Sequence, residues 1–156
     1  MKFALSILLL LFNGMVTAGD NLPSSCKPVA VKGESVMVSA KKPLLVIIHN
    51  LSNSDLWITH PVSDPGASAG WSSRLQADNW SALALDKENF ELSCIESKPG
   101  HEQQVPCQGA ISLCSWAKVT MPAKETGTYW AGENMTLSNL KEHLGGRGFE
   151  LPGSPE

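Results

Sequence analysis

Gly66-Ala67-Ser68-Ala69-Gly70 has the G-x-S-x-G spacing of a nucleophile elbow, in which a strained strand-to-helix turn exposes a serine Oγ. A hydrolase built on Ser68 would draw its acid and base from later in the chain, and Asp86 and His143 stand in that order. The context argues against it. Residues 60–65 (His-Pro-Val-Ser-Asp-Pro) form a breaker-rich loop rather than a buried strand, and no alternating β/α series follows. Ser115-Trp116-Ala117-Lys118 matches S-x-x-K, yet the segment reads as strand, where residues three apart face opposite sides. Glu88, Glu91, Glu96 and Glu102 are scattered over turns and strand faces and present no acid–base pair. Cys94, His101, Cys107 and Cys114 are separated by six, five and six residues, unlike the close ligand pairs of a zinc site. No histidine follows Cys114 closely, as a blue-copper site requires. His49 and His60 lack a third ligand and read as surface or loop residues. The expectation is a protein without metal or cofactor, and not an enzyme.

Recognition chemistry is better represented. Five Trp stand against one Tyr. Trp57 and Trp116 fall in expected strands and are assigned to the core, with Trp130 over a sheet edge or the terminal helix. Trp71 and Trp80 bracket Arg74, in and just after a nineteen-residue stretch, 61–79, with little apolar periodicity. Loops of that length inside a compact domain are usually functional or disordered, and the aromatics favour function. Trp and Arg are enriched at binding hot spots, so Trp71, Arg74 and Trp80 are the expected binding surface, with core packing of Trp71 and Trp80 the standing alternative.

These residues must be positioned by a small frame. The chain has 156 residues, 12 Lys+Arg against 15 Asp+Glu, and a net charge of -3, which excludes a typical nucleic-acid binder that neutralises phosphates with a basic patch. At the N-terminus, Lys2 precedes an apolar run broken by Asn13-Gly14, and Val16-Thr17-Ala18 offers a small-residue cleavage site. Residues 1–18 are expected to be a signal peptide, too short to anchor a membrane, leaving a mature chain of 138 residues with no membrane span. Pro23 and the distance of Cys26 from the apolar run argue against a lipoprotein. Four cysteines, Cys26, Cys94, Cys107 and Cys114, then read as two disulfides of an exported protein. Three pairings are possible. The favoured one closes a short loop with Cys94–Cys107 and ties down the N-terminal arm with Cys26–Cys114. The sequons at Asn50, Asn79 and Asn134 would matter only in a eukaryotic secretory pathway, and the lean signal and small domain point to a bacterium.

Residues 19–27 form a polar arm, 28–148 the folded domain and 149–156 a flexible tail. Within the domain, Val36 and Val38 alternate with polar neighbours, and 44–48 is a short β-branched apolar run, both as strands do. Residues 56–59, 80–85, 90–95, 110–119 and 128–131 add further strands between Gly/Pro/Asn/Asp/Ser turns. Seven or so short strands at this rhythm predict an all-β, single-domain antiparallel β-sandwich. Leu137, Leu140 and Leu144 share one face of a short C-terminal helix, capped by Thr136 or Ser138 and stopped by Gly145-Gly146.

Three blocks, Trp57-Ile58-Thr59-His60-Pro61, residues 67–73 (Ala-Ser-Ala-Gly-Trp-Ser-Ser) and residues 79–84 (Asn-Trp-Ser-Ala-Leu-Ala), resemble the small exported enhanced-entry B (EnhB) family of Legionella-type bacteria. Residues 90–94, Val105-Pro106-Cys107 and Cys114-Ser115-Trp116 extend the resemblance over about 43–116. It implies an exported bacterial protein linked to host-cell entry, with cell-wall-associated partners, and brings no catalytic residues. The expected function is a non-catalytic binding protein of the bacterial envelope, periplasmic or extracellular, whose partner is an envelope protein or peptidoglycan. The alternatives are an inhibitor whose long loop plugs a wall hydrolase or protease, and a small serine hydrolase using Ser68.

Overall fold

The computed structural model describes residues 22–40, 43–61, 72–86, 89–116, 119–122 and 127–152. The expected signal peptide and Lys118 lie outside them, as do Ser68 and Trp71. Among the described residues, ten strands form two antiparallel five-stranded sheets. The first sheet has the order β1 (Lys27–Val29), β9 (Ile111–Trp116), β3 (Leu44–Asn50), β6 (Trp80–Leu85), β10 (Tyr129–Met135). The second runs β2 (Ser35–Val38), β7 (Phe90–Lys98), β4 (Asp55–Thr59), β5 (Ser72–Leu75), and β8 (His101–Val105) pairs with β7 beyond the end of β2. The expected β-sandwich is therefore present, with three strands more than the sequence showed.

The period of two places the core. Val36, Val38, Leu56, Ile58, Leu75, Phe90 and Leu92 point inward from the second sheet to meet Val46, Ile48, Leu83, Leu85, Ile111 and Leu113 of the first. β3 and β6 are buried on both faces, because the first sheet has a second apolar side. There Leu45, Ile47, Trp80, Ala82, Ala84 and Trp116 pack under helix α1 (Leu137–Gly146), through Leu140 and Leu144. The helix begins at Thr136, whose Oγ1 accepts from the Asn139 N–H at 3.3 Å. Gly145 and Gly146 lie inside it rather than stopping it. The chain turns at Gly148, with φ at +88°, a value only glycine adopts freely.

The start of the tail changes. Phe149, expected at the start of a flexible tail, is buried in the cluster under α1, and Glu150 bridges to Thr120. An aromatic that can dock loses less than it gains by leaving water. The described part of the polar arm is tied down as expected, since Cys26 bonds to Cys114 on β9 and the Trp116 indole donates to the Ser24 carbonyl at 3.4 Å. The second disulfide is Cys94–Cys107, so the favoured pairing is the one present. Two buried disulfides are the mark of an oxidising compartment. Among the described residues, no helix is long and apolar enough to cross a membrane.

Candidate functional site

The stretch 61–79 is not all loop: Ser72–Leu75 forms β5, the edge of the second sheet, paired to β4. Its pattern sends Ser73 and Leu75 inward and Ser72 and Arg74 outward. Arg74 thus stands on the outer face of the second sheet. Trp80 opens β6 of the other sheet, 5 % exposed and under the helix side. The sandwich therefore lies between Arg74 and Trp80, and the expected trio does not form as one surface. Trp80 instead stacks on the His49 imidazole, with ring centroids 3.9 Å apart and planes 4° from parallel.

What stands beside Arg74 is Trp57. Leu56 and Ile58 both point into the core, so Trp57 between them must point out. The assignment of Trp57 to the core is corrected accordingly. Trp57 lies directly across from Arg74 on β5 and Ile95 on β7. The next row of the same face runs from Asp55 through Ser97 to Glu102 on β8. Two adjoining hollows open here. One, of about 240 Å³, is lined by Trp57, Thr59, Ser72, Ile95 and Glu102. The other, of about 550 Å³, is lined by Trp57, Arg74, Glu102 and the β7–β8 turn. Trp57 and Glu102 belong to both.

The polar groups of this groove are partly committed. Arg74 donates through Nε (3.1 Å) and Nη2 (2.5 Å) to Asp55 Oδ2, leaving three of a guanidinium's five N–H donors for another partner. Lys98 pairs with Glu96 at 2.9 Å. That ammonium, helped by the Ser54 hydroxyl, holds the Glu96 carboxyl below its ordinary range. The Trp57 Nε1 is buried and has no hydrogen-bond partner. The same holds among the described residues for His49 Nδ1, Ser73 Oγ and Ser112 Oγ, so what distinguishes Trp57 is its place on the outer face, lining both hollows.

The sequence's other chemical candidates disperse. His143 sits on α1 against Gly132, where a Cβ would meet its Cδ2 at 3.3 Å. Asp86 accepts from Thr128 at 2.8 Å, four residues along β6 from Ala82, the partner of Gly132. That separation is roughly 13 Å at the rise of a strand, so the acid and base of the hydrolase order are not brought together. His60 stacks on Phe90, and its Nδ1 is 2.7 Å from the Glu91 carbonyl. Among the described residues there is no cluster of three metal-ligating side chains.

One arrangement escaped the sequence entirely. His49 Nε2 lies 3.1 Å from Asp78 Oδ1, and Ser112 stands directly across from His49 on β9. The chain order His–Asp–Ser resembles a triad, but His49 Nδ1 and Ser112 Oγ are both sealed from solvent without a partner. A nucleophile that no substrate can reach performs no transfer. The sequon asparagines are also occupied. Asn50 is 1 % exposed, and the side-chain amides of Asn79 and Asn134 are hydrogen bonded to Asn134 Oδ1 and Gln76 Oε1.

Fold and site together define a two-sheet sandwich carrying a tryptophan-centred groove on the outer face of one sheet. Compared with known proteins, the chain matches no family model, no curated protein and no solved structure.

Proposed function

We propose that this chain is an exported, non-catalytic binding protein of the bacterial envelope that docks peptidoglycan in the groove around Trp57 and Arg74. The observation that carries this reading is the half-buried Trp57 on the outer sheet face, lining two adjoining hollows and flanked by Arg74 and Glu102. An aromatic body with a few convergent polar groups is the usual make-up of a ligand site, and Trp and Arg dominate binding hot spots. Asp55 holds the Arg74 guanidinium in place before a ligand arrives, which lowers the ordering cost of binding. Periplasmic or extracellular residence is supported by the disulfides together with the signal-like residues 1–18. A link to host-cell entry rests on the resemblance to the enhanced-entry B family.

Co-sedimentation of the oxidised protein with purified sacculi tests the proposal. The wild type pellets and Trp57→Ala stays in solution, while a Trp80→Phe variant pellets like the wild type. Failure of the wild type to pellet rejects peptidoglycan and turns the search to envelope proteins, by crosslinking. Equal pelleting of Trp57→Ala rejects the groove.

A further inference from the structure

We infer that the groove takes an uncharged oligosaccharide, so that within the wall the contact is with the glycan strand and not the stem peptides; this rests on the binding reading above. Charge balance is the first argument. The Arg and Lys side chains lining the groove are already answered, Arg74 by Asp55 and Lys98 by Glu96, and His101 stands at the β7–β8 turn. Glu102 adds a carboxylate that makes no ion pair within 4.0 Å among the described residues and lines both hollows. Anionic ligands meet that carboxylate rather than a free cation, and a lone carboxylate is a poor match for an oligocation. A neutral ligand is the one this wall does not penalise.

Shape and donor chemistry point the same way. The two hollows adjoin at Trp57 and Glu102, which suits a ligand of repeated, joined units with one ring on each side of the indole. A sugar ring offers an apolar C–H face to the indole and hydroxyls at its rim. Arg74 has N–H donors to spare, the Glu102 carboxylate accepts, and the Ser72 and Thr59 hydroxyls can do either. A stem peptide, by contrast, brings free carboxylates and ammonium groups, against which the groove offers only the Glu102 carboxylate and the His101 imidazole at the β7–β8 turn.

Isothermal titration of the full oxidised protein with triacetylchitotriose, beside a soluble stem tetrapeptide, tests this. The trisaccharide is expected to bind saturably and the tetrapeptide not. Trp57→Ala should weaken the sugar at least tenfold, Trp57→Phe should recover part of the loss, and Glu102→Gln should weaken it several-fold. Retained thermal unfolding in each variant separates lost binding from lost fold. If chitotriose fails to bind while sacculi still pellet in a Trp57-dependent way, the glycan inference is overturned and the binding reading stands. Tetrapeptide binding, or equal sugar binding by Trp57→Ala, overturns it as well. If neither ligand binds and sacculi do not pellet, both readings fall.

Discussion

The two disulfides close loops of very different length, and that difference can be weighed. Cys26–Cys114 spans 88 residues and Cys94–Cys107 spans 13. Loop-closure entropy in the unfolded chain gives about 4.6 kcal/mol for the longer crosslink and about 3 kcal/mol for the shorter. Replacing each pair by alanine also removes sulfur from packed sites. Cys94, Cys107 and Cys114 are fully buried and Cys26 is nearly so, making that penalty similar for both pairs. The difference between the two double variants therefore isolates the loop contribution, about 1.7 kcal/mol. Against a domain stability of about 5–15 kcal/mol, loss of Cys26–Cys114 should leave the fold marginal. Urea unfolding of the wild type, Cys26→Ala/Cys114→Ala and Cys94→Ala/Cys107→Ala measures all three. The reasoning is refuted if the Cys94/Cys107 variant is equally or more destabilised. That result would mean the N-terminal arm contributes little and the short bridge acts through native packing.

Other outcomes test the frame around the groove. Gly132→Ala places a Cβ 2.5 Å from Leu140 Cδ1 and should cost about 1–3 kcal/mol through overpacking; combined with Leu140→Ala the two losses should be less than additive in thermal unfolding. Asn50 donates to the Ser54 and Leu75 carbonyls and accepts from Ser52 N and Oγ, all within 2.9 Å. Asn50→Ala should cost about 3 kcal/mol in urea, because it strands a buried carbonyl. Lys98→Met should raise the Glu96 midpoint towards the ordinary carboxylate value in an NMR titration. In the wild type the contribution of Glu96 is present above its unfolded pKa and is lost as pH falls through the lowered folded one; an unmoved midpoint would show that Ser54 alone holds it down.

The sequence revealed strands where apolar residues fill a face and missed them where backbone pairing alone does the work. β3 and β6 were legible as β-branched or alternating runs that bury both faces. β8, His-Glu-Gln-Gln-Val, has almost nothing to bury and exists because it pairs along β7. β5 has just two inward residues, Ser73 and Leu75, after a long polar approach. For Trp57 the signal is present in the sequence: Leu56 and Ile58 flank it, and a period of two cannot send all three inward. Trp80 is the converse. Its strand was read correctly, but nothing in residues 80–85 announces that a helix some fifty residues later covers their other face. Arg74 stands out in sequence through Trp71 and Trp80, whereas its neighbours in space, Trp57 and Asp55, come from the adjacent strand.

The central claim is that ligand is held at Trp57, and the five tryptophans allow one spectrum to test it. Each indole N–H gives its own cross-peak in a nitrogen–proton correlation spectrum, assigned by single Trp→Phe variants. On addition of soluble, muramidase-released wall fragments, the Trp57 indole peak should shift progressively while those of Trp80 and Trp116, buried on the opposite sheet, stay in place. Shifts at Trp80 or Trp116 with Trp57 unmoved would contradict the account.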